Sequence, residues 1–517
     1  MLTRPLALKR RRSLFPTLFL SLSVAAISAC GTTPAAAPTA PAAETPAAAE
    51  PTAATAAEAP AGEAAATADA SAPTPTPAPV VSGGEGCAPS ATPVNWFIGL
   101  GSGADAPVIP LEEAWVEKFN KTQTDVCLTI QIVQTTGAAD VLRAQIAAGT
   151  VPDIVGPVGT VGRAQFKGAW ADLTPLAEKA GFDLSTYDKA LVDFLKDDNM
   201  LVGIPFGVYP SFLYYNKDLF DEARLPYPPH KVGEQYDGKE WNNDTFTELA
   251  KKLTVDKNGN DATSADFDAQ NITQYGFFQQ FTSAQGIGNR FGAGLAYDPA
   301  SPTTAKIPDS WRKAWTWYYN GIWKDHFMPT TDAQNSEVLG SGNGFASDHI
   351  AMAQTHLWYT CCFEVSKLNW DIAVLPSVDG KITSNMHGDT FAIMEQSKNK
   401  DAAFKVISKM VVDPEVYKIY NVLPAKVEDR ASFFADMDKR VAPNKVDWSV
   451  AEEMAKYADV PNHEAWMPNV LKANDAFSRF RALMDQTPDL DINAEIDKLQ
   501  AELDTLFKEP GAIPATK

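Results

Sequence analysis

The stretch Gly203-Ile-Pro-Phe-Gly-Val-Tyr-Pro-Ser-Phe-Leu-Tyr-Tyr-Asn-Lys-Asp218, followed by Leu219 and Phe220, decides how the rest of the chain is read. It is apolar and rich in aromatics, the composition of an extended segment. Pro205, Gly207 and Pro210 interrupt it and argue against one continuous central strand. A segment that leaves one sheet, bends and enters another tolerates such residues. The stretch therefore predicts a hinge between two lobes.

Upstream, residues 94–98 (Val-Asn-Trp-Phe-Ile) predict a first strand, and Gly99-Leu-Gly-Ser-Gly103 a loop facing a ligand. This loop is not a dinucleotide fingerprint, because the final glycine and a prompt helix are missing. Leu111, Ala114, Trp115 and Phe119 recur at helical spacing over 111–120. A second strand is predicted at 127–133, and Thr135-Thr136-Gly137 opens a helix at 138–148. A short third strand follows at 149–154. The β-α-β-α-β order predicts a parallel sheet with helices on both faces. Ligands of such sheets sit beyond the carboxyl ends of the strands, here at 99–103, 135–137 and 155–159.

The N-terminus reads as a targeting segment. Arg4, Lys9, Arg10, Arg11 and Arg12 precede an apolar run from Leu14 to Ile27, and Ile27-Ser28-Ala29-Cys30 has the form of a bacterial lipoprotein signal with Cys30 as the lipidated residue. Arg11-Arg12-Ser13-Leu14-Phe15 is similar to a twin-arginine signal, so the export route stays open. From Gly31 to about Gly86 the chain is nearly all Ala, Pro, Thr and Glu, without aromatics. Such a segment cannot bury enough apolar surface to offset ordering entropy, so it is expected to be a disordered tether. Its reach is at most roughly 180 Å. The net charge of −20 argues against nucleic acid or an anionic membrane surface as partner. The expected location is the outer face of the cytoplasmic membrane, held by the lipid.

The ending Tyr214-Tyr-Asn-Lys-Asp218 resembles the "YNKD" segment of maltose-binding-protein-like extracellular solute-binding proteins that serve ABC importers. Further motifs follow in order. They are Ala147 to Ile154 ("AAG-x-x-PDI"), Trp170 to Pro175, the helix from Trp241 to Leu253, Tyr275-Gly276-Phe277, and the aromatic helix from Trp311 to Trp323. Phe345 to Met352 follows, with Asp348 in place of the usual glycine, then Asp371 to Pro376, Phe391 to Ile393, and Ser397 to Ala403. The resemblance spans roughly Val94 to Glu509. It implies an α/β, two-lobe periplasmic-binding-protein fold (type II), each lobe a mainly parallel sheet flanked by helices, joined by a multi-crossing hinge. The expected division is a signal peptide at 1–29, the lipidated cysteine and tether at 30–86, an N-terminal lobe at 87–208 with 369–422, and a C-terminal lobe at 209–368 with 423–510.

Sugars are recognised by aromatic faces against their C–H patches and by a few placed polar groups. The resemblance makes Tyr209 in the crossing segment and Trp358 after "A-M" candidate ligand contacts, with Tyr359 beside Trp358. A hinge-packing tyrosine and a core tryptophan are the competing readings. His387, Gly388 and Asp389 stand where the family brings a glycine-rich loop into its cleft, against an ordinary turn. Thr136 and Gly137 offer backbone N–H groups at a helix start. Gln280 and Phe281 follow a second-lobe strand, and Phe477 aligns with a stacking aromatic, core packing being its alternative.

Cys87, Cys127, Cys361 and Cys362 allow three pairings. In an exported protein they are expected to be oxidised. Cys87 with Cys127 joins neighbouring first-lobe strands, which leaves Cys361 and Cys362 as a vicinal bond or as two buried thiols. Asp256-Lys-Asn-Gly-Asn-Asp261 imitates a calcium loop but lacks the sixth-position glycine, and Phe267 replaces the closing glutamate, so a turn is expected and no metal site. No cofactor is expected. The resemblance implies a monomer that hands a carbohydrate to ABC permease subunits and is not an enzyme. The alternatives are a peptide, polyamine or other polar solute in the same scaffold, a receptor-coupled sensor or adhesin, or a secreted glycosidase with two carboxylates.

Overall fold

The computed structural model describes residues 80–187, 189–197, 199–420 and 422–513, and the signal segment, Cys30 and nearly all of the tether lie outside them. The described residues belong to one compact unit, Pro73–Lys517. Among them no helix is long and apolar enough to cross a membrane.

The organising element is a ten-stranded mixed sheet. Its strands are β1 (Val80–Gly83), β2 (Thr92–Ile98), β3 (Val126–Ile132), β4 (Ile154–Val158), β5 (Ile204–Asn216), β6 (Phe278–Gln279), β7 (Met352–His356), β8 (Trp370–Ala373), β9 (Met386–Ile393) and β10 (Leu423–Pro424). The order is β1-β3-β2-β4-β9-β5-β7-β6, with β8 and β10 also paired to β5. β2 runs parallel to β3 and β4, and β6 parallel to β7. Every pairing of β5 and β9 is antiparallel. The expected mainly parallel sheets are therefore parallel only where βαβ units build them.

Four further expectations change. Within the 203–218 stretch, Ile204–Asn216 is one unbroken strand, β5, all thirteen residues of which are buried. Its prolines are tolerated because partners change around them. The β10 ladder ends at Val208, the β9 ladder ends at Pro210 with Met386 opposite, and the β7 ladder begins at Ser211, so Pro210 stands where the pairing changes. Gly207 is required by close approach: a Cβ there would lie 2.6 Å from Val422 Cβ. The third strand is Ile154–Val158, so 155–159 is mostly buried strand and not a loop. Finally, Val80–Gly83, expected in the tether, pairs antiparallel with β3.

The helices cover the sheet by their apolar stripes. They include α1 (Ile109–Thr122), α2 (Thr135–Ala148), α3 (Thr160–Gln165), α4 (Asn243–Lys252), α5 (Asp309–Trp323), α6 (Lys400–Met410), α7 (Val470–Gln486) and α8 (Ile492–Leu506). α1 buries Trp115, Val116 and Phe119, with the Trp115 ring 6.3 Å from Trp96 on β2. α5 buries Trp311, Trp315 and Tyr318, spaced at three and four residues as a helix stripe demands. Cys87 and Cys127 form a disulfide that ties the approach to β2 onto β3. The Cys361 side chain lies outside the described ones, and with it the vicinal bond.

α4 is started by Asn242, whose side chain accepts from the Thr245 N–H at 3.0 Å. Asn242→Ala is expected to cost about 1 kcal/mol, read from the urea midpoint, while Asn242→Asp keeps most of it. Equal midpoints for wild type and Asn242→Ala would remove the cap from the account.

Candidate functional site

The middle of β5 places Tyr209 directly opposite His387 on β9, with Gly388 against Val208 and Asp389 against Gly207. On the other side of β5, the last residue of β7, His356, pairs with Ser211. The chain then turns into a 3-10 segment, Leu357–Cys361, that carries Trp358 and Tyr359. β6, parallel to β7, ends beside it and continues into Gln280 and Phe281. Adjacency in the sheet thus brings together residues far apart in sequence.

Three aromatic rings form a row. Phe281 stacks on Trp358 with centroids 6.0 Å apart, and Trp358 stacks on His356 at 5.7 Å. Phe281 is 50% exposed, Trp358 is half-buried and His356 is buried, so the row descends from solvent into the protein. Phe281 adopts a positive φ of 51°, a conformation that side-chain-bearing residues occupy at a cost, and it holds the ring outward.

At the inner end lie polar groups. Asp389 accepts from the Ser102 hydroxyl at 3.0 Å and from the Tyr209 hydroxyl. Burial pushes its carboxyl up to about 6, against the lowering effects of the Ser102 hydroxyl and the Arg163 cation. His356 donates Nδ1–H to the Tyr209 carbonyl at 3.1 Å, and burial holds it well below the usual histidine range. The His387 ring stands 4.2 Å from that of His356 and 5.1 Å from that of His463. A cavity of ≈ 220 Å³, with Arg163 in its lining, opens between α3, Phe194 and the segment carrying Asn462 and Trp466.

Of the expected residues, Tyr209, Trp358, Phe281, His387 and Asp389 come together here. Others do not present themselves as expected. Tyr359 is fully buried, its hydroxyl given to Asn343 and its ring packed against Tyr214 and Phe363. Gln280 is buried and uses its amide on Gly342 and Phe345. Phe477 lies in the core between Trp311 and Trp315. The Gly137 N–H is already donated to Gln134, while Thr136 is exposed at the start of α2. Gly388 is approached by Phe194 of this chain, whose ring would lie 3.1 Å from a Cβ.

Ser102, Arg163, Asp459, His463, Glu464 and Trp466 were not anticipated. A signal existed for the histidines: the chain has only six, and three of them meet here. The calcium-like loop is a turn. The Asp256 carboxylate accepts from Asn258, Asn260 and Asp268 N–H groups of its own loop.

A mixed α/β sheet whose long strand β5 carries a row of aromatic rings and buried polar groups has the architecture of a ligand-capturing binding protein. Residues 105–416, more than half of the 517, match the family of bacterial extracellular solute-binding proteins, and the chain belongs to that family. No curated protein matches the chain. Among solved structures, the ABC substrate-binding protein Lmo0181 from Listeria monocytogenes, in complex with cycloalternan, is 22% identical with a TM-score of 0.57, over 80% of this chain and 99% of that one. UspC of M. tuberculosis is 19% identical with a TM-score of 0.63, over 80% and 100%. The maltose/maltodextrin-binding domain MalE from Bdellovibrio bacteriovorus, bound to maltotriose, is 16% identical with a TM-score of 0.55, over 81% and 100%. At these identities the likeness is one of fold.

Proposed function

We propose that this protein is a lipid-anchored extracytoplasmic receptor that captures a carbohydrate, an oligosaccharide or glycoside, in the cleft beside β5 and delivers it to an ABC permease. The observation that carries the reading is the row Phe281–Trp358–His356, which leads from solvent to the buried Asp389 and Tyr209. Flat rings suit the C–H faces of a sugar, and the polar groups at the inner end suit its hydroxyls. The oligosaccharides bound by the Listeria and Bdellovibrio proteins support the same class of cargo. Cys30 supplies the anchor, and the Ala/Pro/Thr-rich tether sets the receptor's distance from the membrane. Closure of the lobes about their crossing strands holds the ligand.

The test is thermal unfolding of the compact unit Pro73–Lys517 against a panel of mono- and oligosaccharides. A ligand that binds only the folded form, at one hundred times its dissociation constant, adds about 2.7 kcal/mol and raises the midpoint clearly. A shift with one sugar class supports the reading. A shift with peptides or polyamines and none with sugars would overturn the cargo and keep the receptor.

A further inference from the structure

We infer that the inner end of the cleft holds a divalent transition metal of the zinc type, ligated by His387, His463 and Glu464. One ligand atom from each of the three lies within 4.8 Å of the others. Ligands on a metal at about 2.1 Å stand about 3.4 Å apart, so the three must draw in by roughly an ångström. His387 and Glu464 are only half-buried and can make that movement by side-chain rotation. Two imidazoles and a carboxylate are the donor set of zinc sites that keep a fourth position for an exchangeable ligand.

The surroundings of His463 are those of an oriented ligand. Its Nδ1 lies 2.7 Å from Asp459 Oδ2, which fixes the tautomer and leaves Nε2 with the lone pair. Asp459 is itself fully buried and held by Asn289 Nδ2 at 2.8 Å, the Met386 N–H at 2.8 Å and Asn462 Nδ2 at 2.9 Å. A carboxylate so completely anchored behind a histidine is the outer support seen around metal-ligating imidazoles. His387 Nδ1 lies 3.4 Å from Glu464 Oε2.

The ordinary alternative is a hydrogen-bonded His–Glu pair next to a His–Asp pair. It gives no reason for two imidazoles and a carboxylate to converge at the end of an aromatic row. The metal would offer its open position to a hydroxyl or carboxylate of the cargo. Metal binding itself does not rest on the carbohydrate reading, because no sugar is needed to observe it.

The test uses the full chain without a polyhistidine tag, stripped with a chelator and titrated calorimetrically with zinc sulfate, then with cobalt(II) for its visible spectrum. One equivalent is expected to bind, with at least about tenfold loss in His387→Ala and in Glu464→Gln, and no change in His349→Ala, an exposed histidine elsewhere. Binding should weaken at pH 5.5, where protons compete. Unfolding curves confirm that each variant is folded, and either ligand variant alone decides the matter. The inference is overturned by absence of saturable binding, by unchanged affinity in the folded ligand variants, or by a cobalt thiolate band that assigns the metal to cysteines.

Discussion

Replacing Trp358 by alanine is expected to weaken binding of the cognate carbohydrate by about fiftyfold, close to 2.3 kcal/mol, with the protein still folded. Trp358 occupies the middle of the aromatic row, its ring centroid 6.0 Å from that of Phe281 and 5.7 Å from that of His356. Its half-buried position means that part of the ring packs on the core while the rest is available to a ligand. Buried aromatic anchors at the centre of a recognition surface carry a large share of binding energy, and rim residues carry little. Phe281→Ala, at the exposed end, should therefore cost only a few-fold, and Trp358→Phe should retain part of the affinity. Calorimetric titration with the sugar found in the unfolding panel measures all three. Affinity in Trp358→Ala within threefold of wild type would show that the sugar sits elsewhere.

Glu112→Gln is expected to stabilise the protein at pH 8 by on the order of 3 kcal/mol and to leave it nearly unchanged at pH 4.5. Glu112, on α1, is fully buried and accepts from the Tyr420 hydroxyl at 2.7 Å. Burial pushes its carboxyl up to about 8, opposed by the Tyr420 hydrogen bond and reinforced by Glu113 and Asp105. The sign follows from proton binding. Between about pH 4.5 and 8 the unfolded chain has released the proton and the folded one has kept it. Stability from this group is thus complete below the unfolded pKa and is lost as pH rises through the folded one. Glutamine keeps the shape and the acceptor without a charge to bury. Urea unfolding of both proteins across this window isolates the effect, since all other titrating groups are common to both. Parallel stability profiles would show that Glu112 is ionised in the fold.

Much of the architecture was legible because it is written in local periodicity. Trp115 and Phe119 at helical spacing marked α1, and the β-α-β-α-β order from Val94 onward marked the parallel strands β2, β3 and β4. Cys87 and Cys127, each just ahead of neighbouring strands, are joined. The reading of 203–218 as a broken segment failed for a tertiary reason. Proline and glycine weaken a strand through lost ladder bonds and lost packing, but here Pro210 falls where one partner strand replaces another, and Gly207 makes room for Val422. Nothing in the segment itself encodes where its neighbours begin and end.

The site divides along the same line. Tyr209 followed from its place in the crossing segment and Trp358 from the family resemblance after "A-M", both of them readings of nearby sequence. Tyr359 and Phe477 look equally suitable as letters, yet Tyr359 turns inward to Asn343 and Phe477 is enclosed by Trp311 and Trp315. Direction on a 3-10 turn or a helix face is settled by what packs against it. The sequence alone indicated an α/β fold with an aromatic-rich crossing segment and, through motifs in order, a resemblance to solute-binding proteins, because spacing and ordered motifs are one-dimensional facts. Only the tertiary structure made a cluster of His387, His463 and Glu464, braced by Asp459. His387 lies on β9 and the other three within residues 459–464, and the distances that let them act together arise when β9 and that loop are folded against each other.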